Sequence, residues 1–164
     1  MHELAVSLEV NGEQFRALVE PRETLADFLR ERCSLTGTHL ACEHGVCGAC
    51  TVLLEGEAVR SCLMFAVQAS GRSVTTVEGL TPSDGSLSPV QEAFWSNHGL
   101  QCGFCTPGFI VTVTAFLRDH PEPDDEQIRE ALSGNLCRCT GYQGILKAVR
   151  EAAGRGLGGA HRDS

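Results

Sequence analysis

The sequence has few basic residues, and they do not cluster. Its 164 residues include 13 Lys and Arg against 21 Asp and Glu, which gives a formal net charge of −8 at pH 7. Nowhere is a run of Lys or Arg interleaved with aromatic residues. Because nucleic acids and anionic lipids are bound through basic patches, the composition argues against both classes of partner.

Long apolar runs are missing as well. Gly, Thr or charged residues interrupt the longest apolar stretches, so the sequence predicts no membrane-spanning segment. Residues 1–6 contain no basic region, apolar core or twin arginine of an export signal. We therefore expect a cytoplasmic protein.

Two kinds of functional motif are also absent. No glycine-rich phosphate-binding loop lies between a predicted strand and a predicted helix. No nucleophile and base occur at a spacing typical of an enzyme. The sequence thus predicts neither a nucleotide site nor a catalytic site in this chain.

Cysteine, in contrast, is abundant. A secreted disulfide scaffold is a poor explanation for nine cysteines, since it needs an oxidising compartment and usually an even count. Eight of the nine form two groups, each with the ligand number of a four-thiolate metal centre. We name them the first quartet (Cys42, Cys47, Cys50 and Cys62) and the second quartet (Cys102, Cys105, Cys137 and Cys139).

The first quartet has the spacing of a plant-type [2Fe–2S] cluster. Four residues separate Cys42 from Cys47, two separate Cys47 from Cys50, and a longer gap leads to Cys62. A zinc knuckle fits this spacing poorly. The sequence therefore predicts that these four thiolates bind iron.

Glycines in the first-quartet loop support this interpretation. Gly45 and Gly48 can adopt positive φ and so bring backbone N–H groups around a cluster. We expect both to wrap the cluster. His44 lies between cysteines that are already assigned, and we predict a surface or supporting residue rather than a ligand.

The second quartet is less specific, because Cys-x-x-Cys followed by a distant Cys-x-Cys could also bind zinc. Arg138, inside the Cys-x-Cys pair, adds a cation that could raise a cluster's reduction potential. A surface ion pair is the alternative role. Phe104 either shields the site from water or simply packs, and Cys33, outside both quartets, is predicted to be a small buried apolar residue.

Hydrophobic periodicity predicts a β-rich first part. The predicted elements are a β-hairpin about Asn11-Gly12, a short helix capped by Thr24, an irregular loop over 37–50, a second hairpin about Glu55-Gly56 and a strand over 74–77. This is the element order of a β-grasp fold. We predict that residues 1–77 form a plant-type ferredoxin-like domain.

The second part is predicted to be helical. Residues 78–88 are rich in Gly, Pro, Ser and Thr and are interpreted as a linker. Four helices are predicted to begin near Pro89, Thr106, Asp124 and Gly141, with Phe94, Trp95 and Phe109 in the core. The fold class is therefore α+β, with an all-α four-helix domain over 89–153 and a flexible tail over 154–164.

The cysteine motifs resemble those of the small [2Fe–2S] iron–sulfur subunit of molybdenum hydroxylases, the family of xanthine oxidase and aerobic carbon monoxide dehydrogenase. The resemblance covers about residues 3–153. Its blocks are C-E-H-G-V-C-G-A-C-T-V from Cys42, R-S-C-L from Arg60, Q-C-G-F-C-T-P-G-F from Gln101 and S-G-N-L-C-R-C-T-G-Y from Ser133. It implies a β-grasp ferredoxin domain followed by a four-helix domain, in the order predicted above, and one [2Fe–2S] cluster in each.

The resemblance also implies partners and a direction of electron flow. Electrons pass from a large molybdenum–pterin subunit to the second-quartet cluster, then to the first-quartet cluster and to FAD on a medium subunit, usually in a dimer of heterotrimers. Gln101, directly before Cys102, matches a position that contacts the pterin. A free-standing two-cluster ferredoxin and a zinc-stabilised interaction module are the alternatives.

Overall fold

The computed structural model describes residues 3–155. Five strands form one mixed sheet in the order β2-β1-β5-β3-β4. The strands are β1 (Leu4–Val10), β2 (Glu13–Val19), β3 (Thr51–Leu54), β4 (Glu57–Arg60) and β5 (Ser73–Thr75). β1 and β5 pair in parallel, and the other neighbouring strands are antiparallel.

Both predicted hairpins are confirmed. Asn11 and Gly12 join β1 to β2 with φ of 52° and 83°, and Glu55 and Gly56 join β3 to β4 with φ of 52° and 85°. Two consecutive positive φ values suit the right-handed twist of paired strands. The second hairpin leads directly to Cys62, in the 3-10 turn Ser61–Leu63.

The helical segment of the first half covers the sheet core. Helix α1 (Leu25–Asp27) begins where the Thr24 hydroxyl accepts a hydrogen bond from the N–H of Asp27 at 3.0 Å, as predicted. The chain continues in π-helical geometry over Phe28–Arg32. Phe28 is buried in one apolar cluster with residues of β1, β2, β3 and β5. The long irregular loop of the first quartet follows.

Four helices form the second half, as predicted. They are α2 (Pro89–Ser96), α3 (Thr106–Asp119), α4 (Asp125–Leu132) and α5 (Gln143–Arg155). Capping boxes begin α2 at Ser88 and α4 at Asp124, which satisfies N–H groups that a helix start leaves free. Phe94 and Phe109 are buried in the shared core, whereas Trp95 is 71% exposed. The core prediction for Trp95 was wrong, because the residue after Phe94 turns away from the face that packs.

The two halves are packed against each other. Leu53 of β3 is buried with Val111 and Ala115 of α3 in a separate small cluster. At the end of α3, Arg118 donates to the carbonyl of Gly56 in the β3–β4 turn at 2.7 Å. The sheet that carries the first quartet is thus fixed against the helix that begins beside the second.

Helix and strand boundaries differ from the predictions in three places. β5 ends at Thr75, and a 3-10 turn over Val77–Leu80 occupies the start of the predicted linker 78–88. α5 begins at Gln143, because Tyr142 has a φ of 68°, which a right-handed helix excludes. α5 also includes two residues of the predicted tail and ends at Arg155, and the rest of the tail, 156–164, lies outside the described residues.

The α+β fold class is confirmed. Within residues 3–155, each helix is too short or too polar to cross a membrane.

Candidate metal centres

The first-quartet thiols lie together at the end of the sheet. Cys50 and Cys62 are buried, and Cys42 and Cys47 are partly buried. Burial raises the pKa of the Cys62 thiol to about 12, and a hydrogen bond with Cys50 adds to the rise. The bare protein thus favours the protonated form of Cys62, and this thiol becomes a thiolate when a cation compensates its charge.

Backbone N–H groups surround the Cys42 thiol. The N–H of Cys47 donates to Cys42 Sγ at 3.4 Å, and the N–H groups of His44 and Val46 also hydrogen-bond to it. These donors lower the pKa of Cys42 to about 6. His44 is exposed, as predicted, and its Nδ1 donates to the carbonyl of Cys42 at 2.5 Å.

Gly45 and Gly48 make this enclosure possible. Their φ values are 84° and 75°, in the region that favours glycine. The N–H of Gly45 hydrogen-bonds to the Cys62 thiol. A Cβ at Gly48 would lie 2.6 Å from the side-chain nitrogen of Asn135 and 2.6 Å from the carbonyl of Gly134. Gly45 therefore lies at the first-quartet thiols and Gly48 where the loop meets residues 134 and 135, and that both wrap a cluster stays a prediction.

The second-quartet thiols meet between helices. Cys102 follows α2, Cys105 is the N-cap of α3, and Cys137 and Cys139 lie between α4 and α5. Cys139 Sγ is 3.5 Å from Cys102 Sγ, and Cys105 and Cys137 hydrogen-bond to each other. The structure thus brings together four thiols, of which the outermost two, Cys102 and Cys139, are separated by 36 residues along the chain.

Local hydrogen bonds distinguish these thiols. Burial raises the pKa of Cys105 to about 12. Burial also acts on Cys137, but hydrogen bonds from the hydroxyl and N–H of Thr140 outweigh it, so the pKa of Cys137 lies below its ordinary value. Thr140 Oγ1 is 3.1 Å from Cys137 Sγ. Hydrogen bonds to thiolate sulfur also tune the potential of iron–sulfur clusters.

The two centres differ in exposure. Cys102 and Cys139 are exposed, while Cys50 and Cys62 are buried. Gln101, beside Cys102, is exposed too, and so is Arg138. No ion pair within residues 3–155 involves Arg138.

A hydrogen-bonded junction joins the two centres. The N–H of Leu136 donates to the carbonyl of Cys47 at 2.9 Å, and the Asn135 side chain donates to the carbonyl of Gly48 at 3.2 Å. Arg60 donates to the carbonyl of Gly134 at 2.6 Å. The backbone of residues 134–136 therefore lies against the first-quartet loop and continues directly into Cys137 of the second quartet.

Tyr142 holds the other side of this backbone. Its hydroxyl oxygen accepts from the N–H of Cys137 at 2.9 Å and lies 3.5 Å from the carbonyl of Asn135. The roles of Tyr142, Asn135 and Arg60 were not predicted from the sequence. All three stand inside or beside the cysteine blocks, but nothing in the spacing indicates which side chain reaches which carbonyl.

The donor sets fit two-iron clusters. Within residues 3–155, no three Cys, His, Asp or Glu side chains converge on the position of one metal ion. The thiols instead occur as neighbouring pairs. Pairs of this kind suit a [2Fe–2S] cluster, in which two thiolates bind each of the two irons. The hydroxyl of Thr106, directly after Cys105, is buried without a partner. A buried donor of this kind suits a sulfur acceptor at the second centre.

Comparisons with known proteins agree with the two halves. Residues 8–76 match the model of a 2Fe-2S iron-sulfur cluster binding domain, and residues 76–150 match that of a [2Fe-2S] binding domain. The chain is 59% identical over 150 residues to the nicotine 6-hydroxylase small subunit of Paenarthrobacter nicotinovorans, covering 92% of this chain and 90% of that protein.

Two further proteins are similar over nearly their whole length. The caffeine dehydrogenase subunit gamma of Pseudomonas sp. (strain CBB1) is 54% identical over 151 residues, covering 90% of each chain. The crystal structure of quinoline 2-oxidoreductase from Pseudomonas putida 86 contains a chain that superposes with a TM-score of 0.87 at 49% identity. That match covers 94% of this chain and 98% of the other.

Proposed function

Since this chain belongs to the small [2Fe–2S] iron–sulfur subunits of the molybdenum hydroxylase family, we propose that it carries electrons between two partner subunits. The eight quartet cysteines hold two [2Fe–2S] clusters, each of which accepts and releases one electron at a time. Electrons enter from a molybdenum–pterin centre on a large subunit and leave to FAD on a medium subunit. The assembly is a dimer of such heterotrimers.

The hydrogen bond between Leu136 and Cys47 is the observation that carries this proposal. Leu136 is covalently joined to Cys137 of the second quartet, and its N–H donates to the carbonyl of Cys47 of the first quartet at 2.9 Å. The path from the Cys137 thiol to the Cys47 thiol therefore consists of covalent bonds and this one hydrogen bond. Such a connection between two redox centres supports the exchange of electrons between them.

The difference in exposure supports the direction of flow. Cys102 and Cys139 are exposed in the isolated chain, and Phe104 and Leu136, beside that quartet, expose 46% and 49% of their surface. An exposed centre with apolar neighbours is suited to be covered by a partner. We assign that partner as the large subunit, with Gln101 contacting its pterin.

The relatives point to a substrate class for the whole complex. Their names refer to nicotine, caffeine and quinoline, which are all aromatic nitrogen heterocycles or carry one. We propose that the complex oxidises a substrate of this class, in a pocket of the large subunit. All nine cysteines are free thiols, which suits the reducing cytoplasm in which we place the complex.

Co-purification tests the assignment. A tagged chain, expressed with its neighbouring genes, should retain a flavin-containing and a molybdenum-containing protein in equal amounts. Anaerobic addition of an N-heterocycle that the complex oxidises should then reduce both iron–sulfur clusters and the flavin. Purification of the chain alone, with both clusters intact, would instead favour a free-standing carrier.

A further inference from the structure

His39 connects the first half of the chain to the loop of the second quartet. Its Nδ1 is 2.7 Å from the carbonyl oxygen of Phe104. The two aromatic rings are stacked, with centroids 4.8 Å apart and an angle of 27° between their planes. These residues are 65 positions apart in sequence, so the contact is formed only in the folded chain.

The chemistry of this contact fixes the state of the imidazole. A backbone carbonyl can only accept, so Nδ1 must carry the hydrogen and donate it. In the neutral ring Nε2 is then the acceptor. His39 therefore acts on Phe104 as an N–H donor with a fixed ring orientation.

Phe104 lies between two candidate ligands and is linked to both. Its own N–H hydrogen-bonds to the Cys102 thiol, which contributes most to the lowered pKa of that thiol. The Phe104 carbonyl and the Cys105 N–H belong to the same peptide unit. This N–H hydrogen-bonds to the Cys105 sulfur. A hydrogen bond donated to the carbonyl oxygen polarises this peptide unit and so strengthens the hydrogen bond that its N–H donates.

Within the loop itself, the N–H of Thr106 donates to the carbonyl of Gly103 at 3.2 Å. Gly103, next to Phe104, has a φ of 81°, and a Cβ placed there would meet nothing within 4 Å. His39 itself is well held, because Arg30 donates to the carbonyls of Thr36 and Thr38 at 3.0 Å and 2.9 Å. The fixed element is therefore the first-half segment, and the loop of the second quartet is the element that it positions.

We propose that His39 is a positioning residue for the second cluster: through the Phe104 carbonyl it holds the Cys102–Cys105 loop in place and raises the reduction potential of the cluster there. This inference rests on the proposed function, since it requires a [2Fe–2S] cluster at the second quartet. It assigns to the ferredoxin-like half a role in the centre of the other half. The N–H donor, and not the aromatic ring alone, carries the effect.

Two variants separate the donor from the ring. His39→Phe keeps an aromatic ring for the stack but removes the donor, whereas His39→Asn keeps an N–H donor near the position of Nδ1. Both are made in the holoprotein with its partner subunits. Iron content and the EPR signal of each cluster are measured during a redox titration, with the second-cluster signal assigned by its loss in Cys102→Ser.

His39→Phe should lower the potential of the second cluster by about 59 mV, which corresponds to a tenfold change for one electron. In His39→Asn the potential of the second cluster should differ from that of the wild type by no more than the equivalent of about a threefold change for one electron. The potential of the first cluster should be unchanged in both variants. Loss of the second-cluster signal in His39→Phe with retention in His39→Asn would equally support the role. An unchanged potential in His39→Phe, or equal loss in both variants, would overturn it. A wild-type protein without any iron at the second quartet would instead refute the proposed function.

Discussion

The N–H of Cys137 donates to the phenolic oxygen of Tyr142 at 2.9 Å. Tyr142 therefore holds a candidate ligand in place through its backbone, while the Cys137 sulfur is left to Thr140 and to iron. The same oxygen lies near the carbonyl of Asn135, whose side chain reaches the first-quartet loop. One phenol thus stabilises the junction between the two centres.

Tyr142→Phe should weaken the second centre selectively. Removal of the hydroxyl leaves the Cys137 N–H without its acceptor, at a cost of about 1–3 kcal/mol for a partly buried group. We expect iron to leave the second cluster faster when a chelator is added, as followed by loss of its EPR signal. The first-cluster signal serves as the internal control, and equal loss of both signals would contradict this role.

Gly48→Ala should be much more damaging than Gly12→Ala. Both glycines have φ near 80°, so each substitution carries a strain of about 1–2 kcal/mol. A Cβ at Gly12 meets nothing within 4 Å, whereas one at Gly48 would lie 2.6 Å from the Gly134 carbonyl and the Asn135 side chain. The difference between the two variants therefore measures the junction alone.

Thermal unfolding, followed by visible absorbance, is the measurement for these two glycine variants. We expect Gly12→Ala to lower the unfolding temperature slightly and to keep the clusters. Gly48→Ala should bind less iron at both centres. Equal behaviour of the two variants would show that the close approach of the first-quartet loop to residues 134–135 is unimportant.

The iron-free chain should show a strong difference in thiol reactivity within the first quartet. The pKa of Cys42 is lowered to about 6 by backbone donors, and that of Cys62 is raised to about 12 by burial. At pH 7 Cys42 is therefore mainly thiolate and Cys62 mainly thiol. Because the thiolate is the nucleophile, iodoacetamide should modify Cys42 first, with a rate that falls as the pH drops through about 6.

Mass spectrometry of peptides from the alkylated chain identifies the modified cysteine. In denaturant both thiols lose their surroundings and should react at similar rates. A folded chain in which Cys62 reacts as fast as Cys42 at pH 7 would show that the described loop does not persist without iron.

Cys102→Ser should interrupt electron flow before the first cluster. The variant complex should lose the second-cluster signal and keep the first, and substrate should no longer reduce the flavin. Cys33→Ser is the matched control, because Cys33 packs against the sheet core outside both quartets. Rapid flavin reduction by substrate in Cys102→Ser would contradict the proposed order of transfer.

The sequence predicts those features that depend on neighbouring residues. Asn11-Gly12 indicates a tight hairpin because both positions need positive φ, and Asp124 with Gln127 indicates a helix start because the two side chains cap each other. The close pairs within the quartets, Cys47 with Cys50, Cys102 with Cys105 and Cys137 with Cys139, are predicted for the same reason, since the spacing of two ligands within one loop is a local property. The structure brings each set of four thiols together as this spacing implies.

Contacts between distant segments were not predicted. His39 and Phe104 are 65 positions apart, and Asn135 and Gly48 are 87 apart. Such contacts depend on how α3 packs against β3, which periodicity does not encode. The positive φ of Tyr142 has no local signal either, because a tyrosine there is retained by its hydrogen bonds rather than by its backbone preference.

EPR spectroscopy of the dithionite-reduced chain, with iron and zinc quantified in the same sample, tests the central claim most directly. We predict about four irons per chain and two distinct [2Fe–2S] signals of equal intensity, one from each quartet. A colourless protein with stoichiometric zinc and no signal would contradict the account, and so would a single signal with about two irons.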